Sequence, residues 1–343
     1  MNNFYFIFFI LFLNLVIFVN LNKISIYLNL FDKPNSRKLH KQPIPAIGGI
    51  IFFLNFFIFI LFDIYNQFQT YDIYLNFMDL RSKILFLILS FAIFLVGLKD
   101  DYKESNPYTK IFLFFLLIYI FFLNDKSFIN SLSFQSIPYV ISLRDLNLIF
   151  TVLCVAAFMN AFNMFDGVNN QSSIYILVIS IYFLMISKNL IFFFSIFIPT
   201  LVFGIKNYKN EVFLGNNGSY FVSFILSVYL VKFYNFYPDM LKVELVICIL
   251  SVPILDMIRL FIVRLKSQKS PLVADRLHIH HLLLKRFGIF KTNIFIFLNL
   301  VLPMLLYYFF KQQLYSLLFS ICIYLTLLFF SNSKLSRKKD NNY

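Results

Sequence analysis

Long apolar runs recur along nearly the whole chain, from Phe4 to Phe330. Hydrophobic residues make up 60% of the 343 residues, which excludes an ordinary soluble domain. Runs close to ~20 residues fit membrane-spanning helices, because barrel strands are shorter and alternate in polarity. The sequence therefore predicts an all-α, polytopic membrane protein with about eleven transmembrane helices. Their predicted ranges are 4–21, 47–63, 83–98, 111–123, 146–163, 173–187, 189–205, 219–235, 243–262, 292–310 and 314–331.

The basic residues are concentrated in one of the two alternating sets of loops. That set holds 21 of the 30 Lys and Arg residues, and basic loops favour the cytoplasmic side. We therefore predict an external N-terminus and a cytoplasmic C-terminus in a bacterial inner membrane. This topology accounts for the net charge of +14, so nucleic acid is not expected as a partner. We interpret residues 1–331 as one integral membrane domain and residues 332–343 as a basic cytoplasmic tail.

Polar groups end the fifth apolar run. Asn160, Asn163 and Asp166 follow one another at intervals of three, so they share one face if the helix continues. Ionisable groups beside membrane segments are functional candidates.

Two adjacent carboxylates, Asp100 and Asp101, follow the third run. Such neighbours repel each other unless a cation or strong donors lie nearby. A divalent metal ion is one resolution, since Mg²⁺ binds one or two carboxylates together with substrate phosphates. A solvated helix end balanced by Lys99 and Lys103 is the alternative. Asp166, predicted on the same membrane face, favours the metal site.

Two further loops carry special residues. The first predicted cytoplasmic loop contains Asp32, Arg37, Lys38 and His40 before a Gly pair, where basic groups could hold phosphate. An ordinary basic loop is the alternative for Arg37 and Lys38 alone. The fourth loop ends in the sequence FLGNNGS, a turn whose helix N-terminus offers N–H groups to an anion. A plain Gly-Asn turn capped by Ser219 is the alternative there.

The long loop before the tenth run contains a histidine cluster. Asp275, Arg276, His278, His280 and His281 lie within seven residues. Zinc is disfavoured because no thiol lies near and nearly contiguous histidines rarely close a tetrahedral site. Imidazoles and arginine gathered at a phosphate are the preferred interpretation. A basic amphipathic surface segment would explain the lysines but not the histidines.

Five motifs in this order resemble a known family. The segments DKPNSRKLHKQPIPAIGG, GLKDD, NAFNMFDG, FLGNNGS and DRLHIHH are similar to those of the bacterial polyprenyl-phosphate N-acetylhexosamine-1-phosphate transferases, relatives of the phospho-MurNAc-pentapeptide transferase. The resemblance implies transfer of a sugar 1-phosphate from a UDP-sugar to undecaprenyl phosphate, with release of UMP. It also implies a requirement for Mg²⁺, with Mn²⁺ as the alternative, and a role in starting a cell-surface polysaccharide.

The resemblance assigns roles residue by residue. Asp100, Asp101 and Asp166 correspond to the catalytic and metal-binding carboxylates, and Asn216 to a further metal ligand. Substrate binding falls to Asp32, Arg37, Lys38, His40, Asn163, Asn216, Arg276, His278, His280 and His281.

The chain departs from the family pattern at two places. Asn216 and Asn169 stand where the family usually has aspartate, and an amide oxygen binds a hard cation without contributing charge. A catalytically impaired member that binds polyprenyl lipid is therefore one alternative function. A polyprenyl-lipid transporter is another, although transporters place charges near the membrane midplane in repeated, broken helices. A homodimer is left open.

Overall fold

The computed structural model describes residues 2–34, 41–69, 75, 77–270 and 275–339. Within these ranges the chain forms the eleven helices that the apolar runs predict. They are α1 Asn2–Leu28, α2 Gly48–Gln69, α3 Leu80–Tyr102, α4 Pro107–Asp125, α5 Asn147–Phe165, α6 Gln171–Ser187, α7 Leu190–Tyr208, α8 Gly215–Phe236, α9 Val243–Lys266, α10 Ile279–Phe310 and α11 Gln313–Lys339. Ten are long and apolar enough to cross a membrane, and α6 is shorter at 17 residues. The predicted polytopic helical fold is confirmed.

Two short hairpins accompany the helices in the described part of the chain. Strands β1 (Phe31–Asp32) and β2 (Ile44–Pro45) pair antiparallel between α1 and α2. Strands β3 (Ser131–Ser133) and β4 (Val140–Ser142) do the same between α4 and α5.

Helix α8 is the central element of the bundle. It is buried along most of its length and packs against α2, α3 and α5. Two of its serine side chains bond to its own backbone: the Ser223 hydroxyl donates to the Ser219 carbonyl at 2.6 Å, and the Ser227 hydroxyl donates to the Ser223 carbonyl at 2.7 Å. Small, internally satisfied residues allow neighbouring membrane helices to approach closely. The N-terminus of α8 is thereby held inside the bundle.

Glycines on α2 and α3 make this close approach possible. A Cβ added at Gly49 of α2 would lie 2.4 Å from the Gly218 nitrogen, and one added at Gly97 of α3 would lie 2.7 Å from the Asn217 Cα. Both distances are well below an ordinary contact between carbon atoms. The first turn of α8 therefore fits only against helices that lack side chains at these two positions.

Helix α10 starts earlier than the apolar run predicts. It begins at Ile279, and Gly288 interrupts it with φ 77° and ψ 171°, a conformation that L side chains rarely adopt. The segment before the bend is amphipathic: Ile279, Leu283 and Phe287 pack with Tyr324 of α11. Hydropathy missed this segment because only one of its faces is apolar. His280 and His281 consequently lie on a helix rather than in a loop, and His278 is the N-cap residue of that helix.

Buried ion pairs lie away from the N-terminus of α8. Lys83 Nζ lies 2.7 Å from Asp63 Oδ2 with both side chains fully buried, and Lys232 at the far end of α8 lies 2.6 Å from Asp125 Oδ2. Charges this deep in a bundle must be paired.

Candidate active site

A polar cavity of about 1030 Å³ opens at the end of the bundle where α8 begins. Its walls come from five segments: the β1–β2 hairpin, the end of α3, the α5–α6 turn, the α7–α8 turn and the start of α10. All five belong to the loops predicted to share one membrane face. The side chains relevant to chemistry are Asp32, Lys41, Asp101, Glu104, Asn163, Asp166, Asn169, Asn207, Lys209, Asn210, Asn216 and His281.

Asp101 closes the N-terminus of α8. Its two carboxylate oxygens accept hydrogen bonds from the backbone N–H groups of Asn216 and Asn217, each at 2.8 Å, and from the Asn217 side chain at 2.5 Å. A helix N-terminus stabilises an anion through its unpaired N–H groups and its dipole. The turn before α8 does bind an anion, as the sequence indicated, and that anion is a carboxylate of the protein.

Asp100 faces away from the cavity. It is 5% exposed and does not line the cavity. Its oxygens accept hydrogen bonds from the Ser105 backbone at 2.8 Å and from Lys110 Nζ at 2.7 Å. Successive helical residues point about 100° apart, so the adjacent carboxylates have different partners. Asp101 lies at the cavity, and Asp100 forms an ion pair with α4.

Asn163 joins α5 to the first turn of α8. Its amide nitrogen donates to Asn216 Oδ1 at 2.9 Å and to Ser219 Oγ at 2.6 Å, and its oxygen accepts from the Tyr220 hydroxyl at 3.1 Å. Asn160, three residues earlier, donates to the Ala156 carbonyl of its own helix instead. Of these two asparagines of the polar stripe predicted on α5, only Asn163 bonds to α8.

Asp166 lies at the C-cap of α5, where its backbone N–H donates to the Phe162 carbonyl at 3.0 Å. Removal of the carboxyl group from solvent raises its pKa to about 6, and the negative charge of Asp101 adds to the rise. A cation bound between Asp166 and Asp101 would stabilise the charged form of Asp166 and offset the repulsion between the two carboxylates.

Two neighbouring asparagines of the α5–α6 turn bond to the end of α7. The first of them, Asn169, stands where the family usually has aspartate. Asn169 lines the cavity and donates to Asn210 Oδ1 at 2.6 Å. Asn170 has φ 68°, and its backbone N–H donates to Asn207 Oδ1 at 2.5 Å. These hydrogen bonds join the α5–α6 turn to the end of α7. They hold in place the turn that follows Asp166.

The three histidines of the motif have different environments. His281 lines the cavity. His280 is fully buried, and a Cβ at Gly167 would lie 2.4 Å from its Nε2 atom. His278 is buried, and its Nδ1 atom lies 2.8 Å from Asp256 Oδ2. One histidine therefore faces the cavity, and two lie behind it.

The other predicted substrate-binding residues lie at the cavity, on the surface or outside the described ranges. Asp32 lines the cavity beside Lys41. Arg276 is exposed and does not line it. Arg37, Lys38 and His40 lie outside the described residues. Their assignment to substrate binding stays a prediction.

Sequence reasoning missed Asp256 and the two cavity lysines. Asp256 lies inside the apolar α9, with Arg259 three residues later, and this pairing of opposite charges in a membrane helix was an available signal. Lys41 and Lys209 gave no distinguishing signal, because a basic loop explains each of them.

The donor groups at the cavity suit a hard divalent cation. Asp101, Asp166 and Asn216 offer oxygen atoms, the ligands that Mg²⁺ prefers. Among the described residues that line the cavity, Asp32, Asp101, Glu104 and Asp166 are acidic and only Lys41 and Lys209 are lysines. An excess of acids repels an anionic ligand unless cations balance it.

A second group of potential metal ligands lies outside the cavity. Asp256, His278 and His280 offer atoms within 4.8 Å of one another. Arg259 Nη2 lies 2.7 Å from Asp256 Oδ1, however, and this ion pair balances the negative charge that would attract a metal ion. With its charge neutralised in this way, Asp256 forms part of a hydrogen-bonded network.

In the described part of the chain, a bundle of eleven helices with a cavity of carboxylates, amides and lysines at one end defines a multi-pass membrane protein with a polar site. Residues 83–234 match the model of glycosyl transferase family 4. The matched region contains the acidic pair, the α5 motif and the turn that opens α8.

Three named proteins are similar to this chain over most of its length. The undecaprenyl-phosphate alpha-N-acetylglucosaminyl 1-phosphate transferase of Salmonella typhi is 26% identical over 307 residues, covering 86% of this chain and 80% of that protein. The protein of the same name from Pasteurella multocida is 28% identical over 270 residues, covering 75% of this chain and 72% of that protein. The one from Escherichia coli strain K12 is 24% identical over 295 residues, with coverage of 82% and 76%.

Proposed function

We propose that this chain transfers an N-acetylhexosamine 1-phosphate from a UDP-sugar to undecaprenyl phosphate and releases UMP. The observation that carries the proposal is the convergence of Asp101, Asp166 and Asn216 on one cavity at the end of a membrane bundle. Relatives named for this reaction align over most of the chain. The location suits a reaction between a lipid phosphate held in the bilayer and a water-soluble nucleotide.

The proposed site includes Mg²⁺, with Mn²⁺ as the alternative. Asp101, Asp166 and Asn216 would hold the ion, and it would supply positive charge against the phosphate oxygens. Asn216 contributes an uncharged oxygen, so the two carboxylates supply the negative charge of this ligand set.

The protein's own groups bind and orient the two substrates. The lipid phosphate is already an anionic nucleophile, so alignment and charge neutralisation matter more than a general base. A lipid phosphate oxygen attacks the phosphorus that carries the sugar, and the bond from that phosphorus to the oxygen of UMP breaks. Lys41, Lys209 and His281, which come from three segments of the cavity wall, offer donors to phosphate oxygens.

The proposal places the cavity on the cytoplasmic side of the bacterial inner membrane. The loop segments that contribute to the cavity belong to the set rich in Lys and Arg, the bias typical of cytoplasmic loops. A nucleotide sugar made in the cytoplasm would then reach the site directly. The proposed product starts a cell-surface polysaccharide.

A transfer assay tests this function. Membranes containing the protein are incubated with undecaprenyl phosphate, Mg²⁺ and a panel of radiolabelled UDP-sugars. We expect a lipid-linked sugar phosphate with at least one N-acetylhexosamine donor, and no product from the Asp101→Asn or Asp166→Asn variants. Full activity in the Asp166 variant would contradict the site assignment.

A second outcome would favour a different function. If the wild-type protein binds undecaprenyl phosphate but gives no lipid-linked product with any donor, it is a lipid-binding member without catalysis. Asn216 and Asn169 motivate this alternative, because both amides lie at the cavity. Restoration of transfer by Asn216→Asp would then identify the missing charge as the cause.

A further inference from the structure

Asp256 is a buried carboxylate that does not line the cavity. It is 3% exposed and lies within the membrane helix α9. Its Oδ2 atom lies 2.8 Å from His278 Nδ1. Its Oδ1 atom accepts hydrogen bonds from Arg259 Nη2 at 2.7 Å, from the Ile279 backbone at 3.1 Å and from the Tyr324 hydroxyl at 3.1 Å. A carboxylate bonded on both oxygens has a fixed orientation.

These contacts fix the start of α10. His278 is the N-cap residue of α10, but its side chain makes no capping bond. The first N–H groups of a helix need an acceptor, and an anion at this end is stabilised by the helix dipole. Asp256 supplies that acceptor to Ile279 from α9, 23 residues earlier in the chain. Arg259 adds a second link, because its Nη2 atom donates to the Leu277 carbonyl at 2.6 Å.

The same carboxylate fixes the ring of His278. An aspartate oxygen at Nδ1 selects the ring form that carries a proton on this nitrogen. The ring then stacks on His280, with centroids 5.1 Å apart and planes 9° apart. His280 contacts Gly167, which follows Asp166 in the cavity wall. A continuous set of contacts therefore runs from Asp256 through two histidines to the cavity.

We propose that Asp256 is a positioning residue for the donor nucleotide: it holds His278 and the first turn of α10 so that His281 is presented to the cavity. The inference rests on the proposed function, because it treats the cavity as the site of the UDP-sugar. Asp256 touches neither substrate. Its effect passes through the histidine helix, and the acceptor lipid does not depend on it.

The test compares two carboxylate-to-amide substitutions in buried ion pairs. Asp256→Asn keeps the side chain's shape but removes the charge that orients His278. Asp63→Asn makes the same change beside Lys83, fifteen residues along α2 from Gly48 and thus roughly 22 Å of helix away from the cavity. We expect KM for the UDP-sugar to rise about 10- to 150-fold in Asp256→Asn, the equivalent of one lost hydrogen bond to a charged group. KM for undecaprenyl phosphate should stay unchanged in both variants.

A double-mutant cycle separates positioning from general loss of stability. His278→Ala should raise KM for the UDP-sugar by a similar factor, and the Asp256→Asn/His278→Ala pair should add little to either change. Fully additive effects, or an unchanged KM in Asp256→Asn, would overturn the inference. Hydrogen exchange over residues 279–287 gives an independent measure: exchange should rise in Asp256→Asn and not in Asp63→Asn, and an equal rise in both would also overturn it.

Calorimetric titration with UMP keeps the two proposals distinguishable. UMP binding needs no turnover, so a wild-type protein that binds UMP but forms no lipid-linked product counts against the proposed function alone. Asp256→Asn is expected to weaken UMP binding by the same factor as it raises KM. If UMP binds equally well to wild type and Asp256→Asn, the inference fails whatever the activity.

Discussion

Replacement of Gly97 by alanine tests how the Asp101 carboxylate is held at the N-terminus of α8. Gly97 lies on α3 one helical turn before Asp101, and α8 crosses it there. The new Cβ would lie 2.7 Å from both the Asn217 Cα and the Asn216 carbonyl oxygen. Carbon atoms in contact normally lie about 3.5–4.0 Å apart. The two helices must therefore separate by about 1 Å at this point, or accept the overlap.

The structure sets the size of the effect. Separation by about 1 Å would lengthen both 2.8 Å bonds from Asp101 to the Asn216 and Asn217 backbone beyond hydrogen-bonding range. Each such bond to a charged group contributes about 1.5–3 kcal/mol. If the helices hold their positions instead, the overpacking costs about 1–3 kcal/mol. We expect a destabilisation of about 3 kcal/mol, and a loss of about 100-fold in kcat, because a shift of about 1 Å in a catalytic group costs this much.

The assay measures kcat for lipid-linked product and thermal unfolding of the purified protein in detergent. Gly204→Ala is the matched control: it adds the same methyl group to a helix glycine, but the new Cβ would meet the Ser173 side chain at 3.3 Å, which a small shift relieves. Near wild-type kcat is expected for the control. Wild-type kcat and unfolding temperature in Gly97→Ala would refute the conclusion that close packing of α3 on α8 fixes Asp101.

Four further predictions concern the ion pair of Asp100, the carboxyl group of Asp166 and the amide of Asn216. Lys110→Met leaves Asp100 buried with its backbone bond alone, so thermal unfolding in detergent should show a loss of about 3 kcal/mol; an unchanged unfolding temperature would mean that the pair does not contribute to stability. The pKa of Asp166 near 6 predicts that Mn²⁺ affinity, followed by electron paramagnetic resonance, is constant above that pH and falls by up to about tenfold per pH unit below it, since the ion must displace the proton. In cation-free protein the sign is opposite: a raised carboxyl pKa makes stability fall as the pH rises through about 6, and a flat melting profile from pH 5 to 7 would contradict the assignment. Asn216→Asp adds a charged ligand and should lower the Mg²⁺ concentration for half-maximal activity several-fold; no change would place Asn216 away from the metal ion.

Hydropathy predicted the number and order of the helices because the bilayer imposes a length on each of them. The same reasoning grouped the loops correctly: the segments lining the cavity belong to one alternating set. Hydropathy placed the start of α10 too late. Residues 279–287 have only one apolar face, so their mean hydropathy is too low to predict a membrane helix. Gly288 marks the join between this surface helix and the membrane helix.

The sequence could not distinguish the partners of adjacent or distant residues. Asp100 and Asp101 are indistinguishable in the sequence. In the helix, Asp100 points toward Lys110 and Asp101 points toward α8. Asp256 and His278 are 22 residues apart, and only the packing of α10 on α9 reveals that they bond. Side-chain direction and tertiary contact decide both cases, and neither follows from composition or spacing.

The placement of Asp101 changes what the cavity must provide for its substrates. A helix N-terminus is a ready site for phosphate. The sequence FLGNNGS suggested the N-terminus of α8 as such a site. Asp101 already occupies its Asn216 and Asn217 N–H groups. In the proposed reaction, phosphate oxygens would therefore bind positive partners elsewhere, such as Lys41, Lys209 and a cation held by Asp101 and Asp166. In the proposed reaction, a metal ion held by Asp101 and Asp166 would supply the positive charge that this helix N-terminus does not offer to phosphate.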